Sequence, residues 1–219
     1  MLLGGSAKRF GGDTPKQMIQ VNGKPLFCYA LDRLVSSSMI DEIILVVRED
    51  LKEQVNQIVA KRSYSKKISY VLGGDSRSES VHHAIDHLTG ESTPDDSIIL
   101  IQDADRPNLT EGLIEQGVVK AEEVGASVVA IPSSDSVFLS LDQESVSSYQ
   151  PRETVFLAQT PQTFRLSLLK KLTFAGVSTD EASQVNALGA KVAIVEGSPS
   201  NYKINVREDL ERFLKEGYK

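Results

Sequence analysis

The chain has 219 residues, 40% of them hydrophobic, with a formal net charge of −6 and a single cysteine. That acidic balance disfavours bulk binding of nucleic acid or an anionic membrane, because neutralising phosphates needs a basic surface. No apolar run is long enough to span a bilayer, no secretory-signal pattern opens the chain, and one cysteine excludes an internal disulfide framework and suits a reducing, cytoplasmic setting.

The opening strand is very short. Met1-Leu2-Leu3 runs straight into Gly4-Gly5-Ser6-Ala7-Lys8-Arg9-Phe10-Gly11-Gly12, and Lys16 follows Pro15. Glycines allow a tight turn and bring bare N–H groups close to a ligand. Lys8, Arg9 and Lys16 supply the charge and directed hydrogen bonds that a triphosphate needs. The spacing matches neither a P-loop nor G-x-G-x-x-G, and a glycine-rich surface turn is the plainer alternative.

Helical patterning then appears at 26–36, 51–61, 76–88, 110–124, 179–188 and 206–216, with apolar strand-like runs at 43–47, 68–72, 97–102, 127–131 and 192–195. Continuous apolar strands alternating with amphipathic helices predict an α/β fold, a mainly parallel sheet covered on both faces, over one domain spanning 1–219. Cys28 sits in an apolar helical stretch, so the pattern makes it a core residue. Residues 133–155 are polar and Ser-rich, and read either as a hairpin arm leaving the sheet or as a surface loop.

In open parallel sheets, ligands bind beyond the carboxyl ends of the strands. Four polar segments fall there: the Gly4-Gly5 loop, Gly73-Gly-Asp-Ser-Arg-Ser-Glu-Ser80, Asp103-Ala-Asp-Arg-Pro107 and Pro132-Ser-Ser-Asp-Ser136. Asp103 and Asp105 at a strand end suit Mg²⁺, which takes one or two carboxylates plus substrate phosphates; a capped turn is the alternative, and Arg106 is a structural partner for either acid. Ser76 or Asp75 caps the next helix, whose start also suits a base, ribose or phosphate. His83 and His87 have the i,i+4 spacing of metal ligands but lack a third, which favours a solvated face. Pro161 in Gln159-Thr-Pro-Gln-Thr-Phe164 predicts a turn, with Thr160 offering a hydroxyl. Thr179 reads as a cap for its helix, and Lys203 as a lone cation in a short strand within 200–205.

Taken in order, these segments resemble the 2-C-methyl-D-erythritol 4-phosphate cytidylyltransferases and the related ribitol 5-phosphate cytidylyltransferases. The matching pieces include Leu3-Gly-Gly-Ser-Ala-Lys-Arg-Phe-Gly, Pro15-Lys-Gln17, the segments at 73–81 and 103–107, Thr179-Asp-Glu-Ala-Ser183 and Asn201-Tyr-Lys-Ile204. The resemblance implies a Rossmann-like nucleotidyltransferase sandwich, Mg²⁺, and transfer of CMP from CTP to a polyol phosphate with release of pyrophosphate. It also implies a homodimer built through an arm at 133–155. By that likeness the loop of Gly4, Gly5, Ser6 and Lys8 holds the nucleotide, and Arg9, Lys16 and Lys203 act on the α-phosphate. Gly73 and Ser80 read cytosine and ribose, and Asp103 lies beside the metal. Thr160, Thr179, Asp135, Ser136 and Arg152 serve the acceptor, the arm residues across the dimer interface. The expected acceptor is 2-C-methyl-D-erythritol 4-phosphate; ribitol 5-phosphate and a non-catalytic nucleotide-binding paralogue are the alternatives.

The chain departs from the family pattern in four places. Its first strand is clipped or starts upstream, Gln102 stands for a histidine, Asp105 for a small residue, and Ser136 for a threonine. The added charge at Asp105 is expected to weaken CTP binding or to change how the metal is held.

Overall fold

A computed structural model describes residues 1–4, 15–173 and 180–218. Besides two short 3₁₀ turns, at Lys16–Met18 and Arg152–Thr154, the described elements are β1 (Gln20–Val21), β2 (Lys24–Pro25), α1 (Phe27–Ser36), β3 (Glu42–Val47), α2 (Glu49–Ala60), β4 (Lys67–Leu72), α3 (Arg77–Gly90), β5 (Ile98–Ile101), α4 (Glu111–Val124) and β6 (Ala126–Pro132). Then come β7 (Val137–Leu139), β8 (Ser148–Gln150), β9 (Phe156–Arg165), α5 (Leu166–Leu169), α6 (Glu181–Ala187), β10 (Ala193–Glu196) and α7 (Arg207–Glu216).

The predicted strands at 43–47, 68–72, 97–102, 127–131 and 192–195 are all present, in a four-stranded sheet of order β10-β6-β9-β5 and the pair β3-β4 beside it; β1-β2 and β7-β8 are separate ribbons. β3 pairs with β4 in parallel, and β6 pairs with β10 in parallel. Leu2 makes parallel bridges to Val46 and to Asp103, which joins the β3 side to the β5 side. Backbone bonds from Leu2 N to Gln102 O (2.9 Å) and from Leu3 N to Val46 O (2.8 Å) make that join.

Both phases of the apolar strands are buried, which is why helices cover both faces. Ile43, Leu45 and Val47 of β3 point into one core with Phe27, Leu31, Leu51, Val55 and Ile114. Ile44 points the other way, toward Val81, Ile85, Phe164 and Val185. Helices α1, α2 and α4 therefore close one face, and α3, α5 and α6 the other. An apolar cavity of about 280 Å³ lies between the N-terminal ends of β3 and β5, lined by Met1, Ile43, Ile44 and Ile99 among others. It is at the far end of these strands from the polar loops.

Two parts differ from the sequence reading. The segment predicted as a turn around Pro161 is β9, a ten-residue strand lying between β5 and β6 and antiparallel to both. Proline lacks an N–H and is tolerated in a sheet at bulges. Pro161 falls where the β6 register skips between Val128 and Ala130, with a cis Thr160–Pro161 bond. The segment 200–205 is irregular rather than a strand, because side chains of other segments take up its backbone groups. At 133–155 the hairpin reading is correct: β7 and β8 pair antiparallel, with Val137 opposite Gln150.

A third apolar cluster ties the chain's two ends together. The β1–β2 hairpin turns at Asn22 and Gly23, both at positive φ (49° and 75°), as an Asn-Gly turn favours. Val21, Leu26 and Tyr29 pack on Ile204 and Phe213, and the Tyr29 and Phe213 rings meet edge-to-face at 5.1 Å. This cluster seats α7 and the segment before it against the start of the chain. Phe213→Ala is expected to cost about 3–5 kcal/mol, read as a lower urea midpoint with an unchanged slope.

Candidate active site

The site forms at the carboxyl end of β5, where a hydrophobic strand gives way to Gln102-Asp-Ala-Asp-Arg106. Asp103 is held from behind: its N–H donates to Thr160 Oγ1 (3.2 Å) on β9. Its carboxylate faces cations. Lys203 Nζ donates to Oδ2 at 2.9 Å, Arg77 Nε stands 3.4 Å from Oδ1, and Arg106 Nε lies 4.0 Å from Oδ2. Burial alone would raise the Asp103 carboxyl, but the charges of Lys203 and Arg77 outweigh it and hold the group at about 2. Asp103 is therefore ionised at neutral pH.

Asp105 gathers the other cations. Lys16 Nζ meets its Oδ2 at 2.6 Å and Lys203 Nζ stands 3.6 Å from its Oδ1. Lys16 also donates to Ile204 O at 2.7 Å, and Ile204 N donates to Asp105 O at 2.9 Å. Lys16 and Lys203, 187 positions apart in the sequence, thus stand on the two oxygens of one carboxylate. Arg9, expected to join them, lies outside the described residues, as do Gly5, Ser6, Lys8 and Thr179.

The 198–205 segment is moulded onto this cluster by side chains that take its backbone. Arg106 donates to Asn201 O (2.8 Å), Asn108 to Ser200 O (2.9 Å) and Gln159 to Ser198 O (2.9 Å). Asn201, fully buried, returns bonds to Gln159 Oε1 and Thr160 O. Thr160 is itself buried and its hydroxyl accepts from Asp103. It stands behind Asp103 and holds its main chain.

A second part of the rim carries the residues expected to read the base. Ser80 Oγ accepts from Gly74 N (3.1 Å) and donates to Ser76 O (2.9 Å). A Cβ built on Gly73 would come within 3.0 Å of Ser80 Oγ, and one on Gly4 within 3.5 Å. Gly4, Gly73 and Ser80 are therefore neighbours, and at Gly73 the lack of a side chain leaves room for the serine. Ser76 caps α3 by accepting from Glu79 N, as expected.

The structure adds two residues that sequence reasoning had not singled out. Arg77 bridges Asp103 to Glu181, donating to both Glu181 oxygens at 2.8 and 2.6 Å. Glu181 is fully buried, and burial pushes its carboxyl up against the opposing charge of Arg77. The signal was present in Asp180-Glu181 at a helix start, where it read only as capping. The cap of α6 is Asp180, whose side chain accepts from Ser183 N (2.8 Å), one residue beyond the expected Thr179. Arg106 has the predicted role of partner to an aspartate.

The remaining candidates separate from this cluster. Asp135, Ser136 and Arg152 lie on or beside the β7–β8 hairpin; Asp135 O accepts from Ser133, and Arg152 pairs with its neighbour Glu153 at 3.7 Å. Both contacts are local. His83 Nδ1 bonds Leu72 O (2.9 Å), and among the described residues no group of three or more His, Cys, Asp or Glu side chains is placed to hold a metal. Cys28 is buried, and that burial raises its thiol to about 11, as a core residue requires. Among the described residues no helix is long and apolar enough to cross a membrane.

Comparison with known proteins gives the chain's family. The model of the 2-C-methyl-D-erythritol 4-phosphate cytidylyltransferase family (IspD) matches residues 2–214. The protein of that name from Thermotoga neapolitana is 36% identical over 212 residues, covering 96% of this chain and 92% of that one. The Thermosipho africanus protein is 35% identical over 216 residues, covering 96% and 93%. Among solved structures, 4-diphosphocytidyl-2C-methyl-D-erythritol synthase from Anaerococcus prevotii DSM 20548 superposes with a TM-score of 0.82 at 26% identity, across 98% of this chain and 94% of that chain. The chain therefore belongs to the 2-C-methyl-D-erythritol 4-phosphate cytidylyltransferase family.

Proposed function

We propose that the chain transfers the cytidylyl group of CTP to 2-C-methyl-D-erythritol 4-phosphate and releases pyrophosphate, a step of isoprenoid precursor synthesis. Family membership over nearly the whole chain supports the activity. The single observation that carries the chemistry is the meeting of Lys16 and Lys203 over Asp103 and Asp105. The acceptor phosphate is already an anionic nucleophile at neutral pH, so no general base is required. One of its oxygens attacks the α-phosphorus of CTP as the bond to the β-phosphate oxygen breaks, and that electron pair leaves on pyrophosphate. The protein's task is alignment and stabilisation of charge on the α-phosphoryl oxygens. Lys16 and Lys203, with Arg9 from the glycine-rich loop, supply that charge.

Asp103 is the residue to hold a magnesium ion. It is ionised, and one hard carboxylate suits an ion that completes its shell with substrate phosphates and water. Magnesium bound there supplies further neutralisation of the phosphates. Arg77, anchored to Glu181, fixes the face that Asp103 presents. Ser80 with the backbone at Gly4 and Gly73 forms the seat for the nucleoside, and Thr179 serves the acceptor phosphate.

The arm favours a homodimer. Phe138, Leu139, Leu141 and Tyr149 are half to nearly nine-tenths exposed on the hairpin and its loop, an apolar patch of the kind that marks a protein interface. In a dimer of this kind Asp135, Ser136 and Arg152 reach the partner's acceptor.

Three outcomes are expected. With CTP, pyrophosphate is released on adding 2-C-methyl-D-erythritol 4-phosphate and not on adding ribitol 5-phosphate; release with ribitol 5-phosphate alone would overturn the assigned acceptor. Leu141→Asp with Phe138→Asp turns a dimeric mass in light scattering into a monomeric one, and a mass unmoved by both changes removes the arm from the interface. The third concerns acid. Asp103 sits below its ordinary value of 3.8 in the folded chain, so the unfolded chain takes up that proton first as pH falls. Its contribution of roughly 2 kcal/mol is complete above about pH 4 and is lost on descent toward pH 2. Chemical denaturation at pH 5, 4 and 3 should show Asp103→Asn less stable at pH 5 and with a flatter acid slope than the parent.

A further inference from the structure

We propose that Asp105 is an internal counter-anion that holds Lys16 and Lys203 at the triphosphate position and is displaced from them by the incoming nucleotide, so that this residue sets the affinity for CTP. The inference rests on the nucleotidyl-transfer reading above and assigns a specificity-determining role within it.

The geometry of Lys16 comes first. Its ammonium has three N–H donors, and three oxygens surround it: Asp105 Oδ2 at 2.6 Å, Ile204 O at 2.7 Å and Asn205 Oδ1 at 3.5 Å. Lys16 is 7% exposed. A charge that deep is tolerated only with a counter-charge beside it, and Asp105 is the nearest carboxylate. Lys203 differs. It is partly exposed, bonds Asp103 at 2.9 Å, and stands 3.6 Å from Asp105, beyond hydrogen-bond distance.

That leaves one oxygen poorly served. Asp105 is 8% exposed, and its buried Oδ1 accepts no hydrogen bond from the described residues. A buried carboxylate oxygen without a donor is costly. The side chain is thus held by a short ion pair to Lys16 and a longer one to Lys203, while its backbone is fixed independently by Ile204 N. Rotating the carboxylate breaks its ion pairs with Lys16 and Lys203 and leaves the fold's main-chain bonds intact.

Competition follows from charge. A triphosphate oxygen that bonds both ammonium groups must take the ground that Asp105 holds, and two anions there repel. The pair Lys16–Asp105 must open for Lys16 to reach phosphate. Asp103 cannot be replaced in the same way, since three cations face its carboxylate. The two acids of one short segment therefore have different roles: Asp103 stays, and Asp105 yields.

The test uses the full chain and Asp105→Asn, which keeps the shape and an acceptor oxygen but removes the charge. Steady-state pyrophosphate release should show KM for CTP lowered about tenfold, roughly the effect of one like-charge contact removed, with the fall in KM exceeding any change in kcat. Inorganic tripolyphosphate, measured by calorimetry with no acceptor present, should bind the variant more tightly by a similar factor. A KM and a tripolyphosphate affinity that stay unchanged, or that weaken, would overturn the proposal. Asp105→Ala repeats the comparison should the asparagine variant fold poorly, and circular dichroism reports folding for both. A parent chain that binds tripolyphosphate but releases no pyrophosphate with the acceptor would defeat the nucleotidyl-transfer reading, while the calorimetric comparison still decides the role of Asp105.

Discussion

Asp103 carries the constraint on which the rest of the site depends. A carboxylate at the end of a buried strand cannot stay ionised without cations, and three sides of it supply them: Lys203, Arg77 and Arg106. Each comes from a different part of the chain, and each is held by something further out. Arg77 is pinned by Glu181 at the start of α6, Arg106 by the backbone of Asn201, and Lys203 by the segment that leads into α7. Removing the charge of Asp103 would therefore loosen contacts among helices, strands and loops at once. The electrostatics also explain how an acidic protein holds an anionic ligand. Among the described residues four cations meet three carboxylates in this one place, so their balance is opposite in sign to that of the whole chain.

Much of the fold was legible because burial imposes a period. Runs such as Ile43-Ile-Leu-Val-Val47 are apolar in both phases, which only a strand covered on both faces allows. The positions of the polar loops followed from the polarity of such a sheet. The long strand β9 was hidden for a physical reason. Its middle, Gln159-Thr-Pro-Gln-Thr163, is polar and contains a proline, which reads as a turn, yet these side chains are buried and most serve as internal partners. Gln162 Oε1 accepts from Ala182 N and Gln159 reaches the 198–201 segment. A strand whose side chains bind neighbouring backbones carries no apolar signal. The β1–β2 hairpin escaped notice for another reason: its strands have two residues each, and only the Asn-Gly pair marks it.

At the site, residue types were readable and pairings were not. Lys16, Lys203 and Asp103 could be singled out one at a time, but nothing local says that Lys16 and Lys203 share a carboxylate. That depends on the Tyr29–Phe213 cluster, which brings the last helix against the first hairpin. Likewise Arg77 and Glu181 lie 104 positions apart, each in a helix start that capping alone would account for.

The reversed direction of β9 has a structural consequence. Because it runs against β6, the two strands leave the sheet together, and the hairpin of β7 and β8 grows from the same edge as the acid cluster. Phe156 at the root of the hairpin and Thr160 behind Asp103 are four residues apart on one strand, a stiff span of roughly 13 Å. The hairpin and the threonine that holds the Asp103 main chain are thus parts of one continuous strand.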